Sequence, residues 1–203
     1  MIRNILARVG GAAAGFAVTA AMAAPQPWEW TFQPAATDMM RQITWFQDYT
    51  LWFVVPITVL VMALLGYCMY RFSAKRNPVP SQTTHNTLIE VLWTVLPVVV
   101  LLFIAVPSFR LLAKQLIIPP PDLLVKVTAS QWHWNYGYPK SEGGFAFDSL
   151  YVEDKDLKPG QPRVITADNP MVVPVGKVVE VDVTSQDVIH SFSVPSFGIK
   201  IDA

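Results

Sequence analysis

Two long apolar runs without a charged side chain dominate the first half of the chain. Leu51–Tyr70 contains twenty such residues and Val91–Phe109 contains nineteen. At about 1.5 Å of rise per residue, each run would cross a hydrocarbon layer of about 30 Å as a helix. The pattern predicts a transmembrane hairpin with helices at about residues 47–71 and 87–112.

Three prolines, Pro56, Pro97 and Pro107, lie inside these apolar runs. A proline has no N–H to donate to the carbonyl of the preceding helical turn, so a neighbouring group must satisfy that carbonyl. We therefore expect the helices to pack against other polypeptide segments, including other subunits.

The hydrophobic period changes to two after Asp122. Val125, Val127 and Ala129 alternate with polar residues, and a second alternation runs through 179–184. Half-buried strands have this period. Turn residues separate the segments at 143–144, 158–160, 168–170 and 174–176. Residues 116–203 are therefore predicted to form an all-β Greek-key sandwich, after a segment at 24–115 that holds the helices.

The amino terminus has the pattern of a targeting sequence. Arg3 and Arg8 precede an uncharged stretch that ends in Ala21-Met22-Ala23, the small-x-small pattern of a signal peptidase site. Residues 1–23 are predicted to be a signal peptide; the alternative is an uncleaved amphipathic or short membrane segment.

The loop between the two apolar runs carries Arg71, Lys75 and Arg76 and no acid up to residue 87. The positive-inside bias places such a loop in the cytoplasm. With the signal peptide, this topology places both ends of the chain in the periplasm.

Composition agrees with a membrane protein, since 52% of the 203 residues are hydrophobic and 15% are charged. The charges of the 15 basic and 15 acidic residues cancel, and no basic patch is interleaved with aromatic residues. Both observations argue against nucleic-acid binding.

The segment from Lys114 onward contains eleven acidic residues and eight basic ones. This excess could steer a basic partner or could serve solubility alone.

The segment Gln131–Tyr138 holds five aromatic-class rings in eight positions. Such a run suggests a recognition or cofactor surface, while a half-buried strand remains the alternative.

His190 follows a polar turn and is a candidate metal ligand, although most single histidines are ordinary surface or core residues. Cys68, the single cysteine, lies in the first apolar run, so this sequence by itself cannot close a thiolate copper site.

The order of motifs resembles subunit II of the haem-copper cytochrome c oxidases, of the bacterial, mitochondrion-like type, from about residue 30 onward. The resemblance rests on the two-helix hairpin and on Glu90-Val-Leu-Trp-Thr-Val-Leu-Pro97, Gln131–Tyr138, Phe147-Asp148-Ser149, Asp168-Asn169, Asp187-Val-Ile-His190-Ser-Phe-Ser-Val-Pro195 and Phe197–Ala203.

This resemblance implies a cupredoxin-like domain that holds the dinuclear copper centre CuA. His190 matches its first ligand. The family's other copper ligands lie in a Cys-x-x-x-Cys…His…Met loop that would begin after Ala203, so we expect the chain to be truncated at its carboxyl end. Trp132 matches the residue at which electrons enter, with Gln131 beside it, and Trp134 matches a relay residue deeper in the domain.

The resemblance also implies partner surfaces. Asp148, Asp168 and Asp187 match acids that dock cytochrome c, whereas Gly137 stands where the family often has an acid, and His133 replaces a common tyrosine. Glu90 matches the carboxylate at the entrance of the K proton pathway; its alternative is a helix-capping acid.

The implied function is to accept electrons from reduced cytochrome c on CuA and to pass them to haem a of subunit I, in a bacterial inner-membrane complex that also contains subunit III. Haem and oxygen chemistry would reside in subunit I. Two alternatives remain: a copper-free subunit II of the quinol-oxidase type that acts as a structural anchor, and a membrane-tethered β-sandwich binding module.

Overall fold

The computed structural model describes Pro25 and residues 28–203, so the predicted signal peptide lies outside the described residues. The chain divides into two compact units, with the boundary between Ile117 and Ile118. The first unit holds the helices and the second holds the strands.

Two long helices make up the first unit: α1 at Asp38–Arg71 and α2 at Thr87–Gln115. Helix α1 begins well before the predicted residue 47, because the Thr37 side chain accepts a hydrogen bond from the Met40 amide and caps the helix. The hydrophobic pattern marks only the part of the helix that suits a membrane. The polar first turns of α1 carry no such signal.

Both helices are long and apolar enough to cross a membrane. Met40 is the only buried residue of α1, and no residue of α2 is buried within the described structure. A core helix of a water-soluble protein would bury one face, whereas these helices leave their apolar side chains exposed all round. The chain is therefore a membrane protein with an extramembrane domain.

The two helices pair in antiparallel orientation through a proline-dependent contact. The Tyr49 hydroxyl of α1 donates to the Phe103 carbonyl of α2 at 3.0 Å. In a regular helix that carbonyl would accept from the residue four positions later, which is Pro107 and has no N–H. The hydroxyl therefore supplies the donor that Pro107 lacks, and this donor comes from the same chain.

Replacement of Tyr49 by phenylalanine is expected to destabilise the hairpin by about 1 kcal/mol, the scale of an interhelical hydrogen bond in a membrane. The ring contacts with Trp45 and Phe53 would remain. The free energy of unfolding of the full chain in detergent, measured by titration with a denaturing detergent, checks this value. Pro107→Ala restores an N–H for the Phe103 carbonyl, so Tyr49→Phe should cost almost nothing in that background. Equal costs in both backgrounds would contradict the interpretation.

The second unit contains a four-stranded and a two-stranded sheet. The first has the order β3-β2-β1-β4, in which β1 and β4 run parallel and the other neighbours antiparallel. An antiparallel hairpin of β5 and β6 forms the second sheet. The strands are β1 Leu123–Ser130, β2 His133–Gly137, β3 Ala146–Ser149, β4 Val179–Ser185, β5 Ser191–Val194 and β6 Ile199–Asp202.

The core of this unit lies where Phe192 of β5 packs on the larger sheet. Val125 and Val127 are completely buried, and Lys126 between them is exposed, as the period of two predicts. Val179, Val181 and Val183 of β4 pack against the same core. The predicted fold class, a helical hairpin followed by an all-β cupredoxin-like domain, is confirmed.

Candidate functional site

The site is built around the turn that joins β1 and β2. Ser130 pairs with His133, which leaves Gln131 and Trp132 as the two residues of the turn. A side chain at a hairpin tip extends beyond the sheet, and Trp132 is 85% exposed. An indole with this exposure contributes little to the core, so its large apolar face is available to a partner.

The strand that follows directs alternate rings inward. Trp134, Tyr136 and Tyr138 pack in the core or against it. Trp134 makes edge contacts with Phe192, at 5.4 Å between ring centroids, and with His190, at 6.1 Å. The sequence left open whether the aromatic run forms a surface or a half-buried strand, and both apply. Its inner rings belong to a half-buried strand, and Trp132 lies on the surface.

His190 is held in place by a neighbouring carboxylate. Its Nε2 lies 2.7 Å from Oδ1 of Asp187, and the imidazole is only 16% exposed. Asp187 also accepts hydrogen bonds from the amides of Gln131 and Val188, at 2.6 and 2.7 Å. The hydrogen bond from His190 and these amide bonds lower the pKa of Asp187 to about 2. The carboxylate is therefore ionised at neutral pH.

An ionised carboxylate can only accept, so the imidazole nitrogen that faces Asp187 must donate. A neutral His190 then carries its proton on Nε2 and its lone pair on Nδ1. The arrangement is the one found where a carboxylate orients a metal-binding histidine. It leaves the lone pair of Nδ1 available to a metal ion.

Replacement of Asp187 by asparagine is expected to remove the preference of His190 for the Nε2-protonated tautomer, because a neutral amide no longer requires a donor at Nε2. With ¹⁵N-histidine labelling and only three histidines to assign, the shifts of Nδ1 and Nε2 report the proton position. We expect Nε2 protonation in the native protein and a mixture in Asp187→Asn. Asp148→Asn is the matched control, since Asp148 lies 3.9 Å from His133 and should leave the shifts of His190 unchanged.

Trp132, Trp134 and His190 line one surface depression of about 190 Å³. Its other lining residues are Ser130, His133, Ser149 and Tyr151. The sequence did not indicate Tyr151 or Ser149 as site residues. Tyr151 lies two residues after the motif Phe147-Asp148-Ser149 and is 58% exposed, but that motif gave no role to Ser149 and does not include Tyr151.

The acids predicted to dock a partner lie on loops and strand ends of the same unit. Asp148 is exposed and accepts a hydrogen bond from Asn135 at 2.8 Å. Asp168 is exposed and accepts from the amides of Leu150 and Asn169. Asp187 differs from both, because its two carboxylate oxygens already bind internal donors. Asp187 therefore holds His190 in position, and its part in docking stays a prediction.

Glu90 lies in the other unit, in the first turn of α2. Its Oε1 accepts a hydrogen bond from the amide of Asn86, and the Asn86 side chain accepts in return from Ile89. Such reciprocal contacts cap a helix. Glu90 thus contributes to the cap of α2 through Oε1, and its predicted role in a proton pathway stays a prediction.

The described residues offer a metal only one prepared donor at this site. Among residues 28–203, no group of three or more His, Cys, Asp or Glu side chains is close enough to hold a metal ion. Cys68 lies in α1, within the other unit. His190 fits one position of a copper centre, and the described residues alone do not complete one.

The fold and the site together define a class: membrane-anchored proteins with a β-sandwich domain that presents an exposed tryptophan next to a carboxylate-oriented histidine. Residues 25–111 match the profile "Cytochrome C oxidase subunit II, transmembrane domain". Residues 123–203 match the profile "Cytochrome C oxidase subunit II, periplasmic domain". The chain belongs to the cytochrome c oxidase subunit II family.

Individual relatives agree with this assignment. A probable cytochrome c oxidase subunit 2 from Rickettsia felis is 46% identical over 179 residues, which cover 88% of this chain and 56% of that protein. Cytochrome c oxidase subunit 2 from Cereibacter sphaeroides is 40% identical over 218 residues, covering 95% of this chain and 72% of that protein. The mitochondrial subunit 2 of Vigna unguiculata is 41% identical over 194 residues, which cover 93% of this chain and 52% of that protein.

A solved periplasmic domain of subunit II from Bradyrhizobium japonicum is 53% identical, with a TM-score of 0.39, and the match covers 43% of this chain and 59% of that one. The chain spans about half the length of several of the curated relatives that it matches.

Proposed function

We propose that the complete protein is an electron-accepting subunit of a cytochrome c oxidase. Reduced cytochrome c would dock over Trp132, and electrons would pass by way of Trp134 to a CuA centre at His190 and then to haem a of subunit I. One observation carries this proposal: the exposed indole of Trp132 lines the same depression as Trp134 and the imidazole of His190.

His190 would bind copper through Nδ1, since Asp187 holds Nε2. When bound, the dinuclear copper centre takes up and releases one electron at a time. The remaining ligands would come from residues after Ala203. The backbones of His190 and Ala203 exchange two hydrogen bonds, at 3.0 and 2.8 Å, so a chain that continues past Ala203 would leave from beside His190.

Asp187 would act by positioning this ligand, and loss of such a partner lowers metal affinity by about 10- to 100-fold. Asp148 and Asp168 would face the basic surface of cytochrome c, with Gln131 next to Trp132 at the centre of the contact. Facing charges steer association and are screened by salt, so the association rate should fall as ionic strength rises.

The hairpin would anchor the subunit against subunit I and subunit III in a bacterial inner membrane, with the β-domain in the periplasm. Glu90 would then lie at the entrance of the K proton pathway, where its free carboxylate oxygen could exchange protons while the other caps α2. Oxygen reduction and proton pumping would take place in subunit I.

Copper reconstitution of the product of the complete reading frame tests this function. The expected result is the set of visible bands of a CuA centre, together with a Cys-x-x-x-Cys segment within a few dozen codons after Ala203. A colourless protein that contains the cysteine pair would contradict electron transfer.

A second candidate is a copper-free subunit of the quinol-oxidase type, in which the β-domain is only a structural anchor. A reading frame that ends at Ala203, or continues without paired cysteines, would support it.

A further inference from the structure

A groove runs along the paired helices of the first unit and has two parts of different chemistry. The apolar part, of about 560 Å³, is lined by Trp45, Tyr49, Val99, Leu102, Phe103, Val106 and Pro107. The polar part, of about 290 Å³, is lined by Gln42, Trp45, Phe46, Pro107, Arg110, Leu111 and Lys114. Trp45 and Pro107 line both parts, so the two parts adjoin.

We propose that this groove binds one membrane phospholipid with an anionic headgroup. An acyl chain would lie in the apolar part, and the headgroup phosphate would meet Arg110 and Lys114. This proposal concerns the membrane hairpin and does not depend on a copper centre.

The length of the groove fits one leaflet of a bilayer. Val99 and Arg110 are eleven residues apart on α2, which corresponds to about 16 Å along a helix axis. One leaflet contributes about half of a hydrocarbon core of about 30 Å. Trp45, which is 58% exposed, borders both parts of the groove, and an indole prefers the level of the headgroups.

The apolar part presents two side-chain donors, the Tyr49 hydroxyl and the indole N–H of Trp45, and Trp45 also lines the polar part. The Tyr49 hydroxyl is already donated to the Phe103 carbonyl. A hydrocarbon chain therefore suits the part between Tyr49 and Val99, and the indole N–H of Trp45 lies where the apolar part meets the polar part.

The polar part carries two positive charges without a matching acid. Lys114 donates to the neutral Gln42 side chain at 2.8 Å, and neither Arg110 nor Lys114 forms an ion pair with a carboxylate of the described residues. An apolar helix of a partner protein would cover these charges without neutralising them, at a desolvation cost. A phosphate group complements both of them, which favours a lipid as the occupant.

Lipid titration of the purified, delipidated full chain, followed by native mass spectrometry, tests the proposal. The probes are phosphatidylglycerol, which is anionic, and phosphatidylcholine, which has no net charge. We expect one tightly held phosphatidylglycerol. The double variant Arg110→Gln/Lys114→Gln should bind it about thirtyfold more weakly, because each basic residue near an anionic headgroup changes affinity by about fivefold.

The matched control is Arg71→Gln/Lys75→Gln, which removes two charges at the opposite end of the hairpin and should leave this binding unchanged. Val99→Trp fills the apolar part and should weaken phosphatidylglycerol binding while all charges remain. Equal affinity for the two lipids, or no effect of either the double variant or Val99→Trp, would overturn the proposal. Absence of bound lipid together with crosslinking of Val99 to another subunit would also overturn it, in favour of a protein helix in the groove.

Discussion

Replacement of His190 by alanine is expected to abolish the visible absorbance of copper in the complete protein. His190 is the one histidine whose ring is both held by a carboxylate and packed against Trp134. Under the proposed function, removal of the imidazole deletes the one nitrogen donor that the described residues prepare at the site, and the coordination sphere would not close without it. Absorption spectroscopy after copper reconstitution, with metal analysis of the same samples, measures the loss.

His133→Ala is the matched control, because His133 lines the same depression and its side chain is 32% exposed. It should retain the absorbance. Near-ultraviolet circular dichroism of both variants reports whether Trp134 keeps its environment, so that loss of copper can be distinguished from loss of the fold. Visible bands that persist in His190→Ala would rule out this residue as a ligand.

Replacement of Trp132 by alanine is expected to lower kcat/KM for reduced cytochrome c by about thirtyfold or more in the assembled oxidase. Truncation of a central tryptophan in an interface costs about 2 kcal/mol or more. Under the proposed function, this variant would also remove the ring through which the electron enters. Because Trp132 is 85% exposed and makes no core contact, its loss should leave the copper spectrum unchanged. Steady-state oxidation of cytochrome c at several ionic strengths provides the measurement.

Trp28→Ala serves as the control for this variant, since Trp28 is an equally large and even more exposed indole, at 99%, in the other unit. Its kcat/KM should remain at the native value. The dependence of the rate on ionic strength should stay the same in Trp132→Ala, because Asp148 and Asp168 keep their charges. A native rate for Trp132→Ala would show that electrons enter elsewhere.

Local patterns in the sequence were sufficient for the secondary structure and for much of the core. The period of two placed Val125 and Val127 inside and Lys126 outside, because successive side chains of a strand point to opposite faces. The apolar runs identified both helices, although α1 extends to Asp38 under a cap that hydrophobicity does not report. Motif resemblance identified Trp132, Trp134 and His190, which the structure brings into one depression.

The tertiary structure determined which side chains from distant segments form hydrogen bonds with one another. Gln131 and Asp187 are 56 residues apart and lie within 2.6 Å only because β1 and β4 are neighbours in one sheet. That pairing adds the amide of Gln131 to the donors of Asp187, which also holds His190 three residues away. In the same way, Tyr49 finds the carbonyl freed by Pro107 across 54 positions. The sequence by itself determined the elements and their buried faces, because those follow from local backbone geometry, whereas contacts between distant segments leave no periodic signal and depend on how the elements pack.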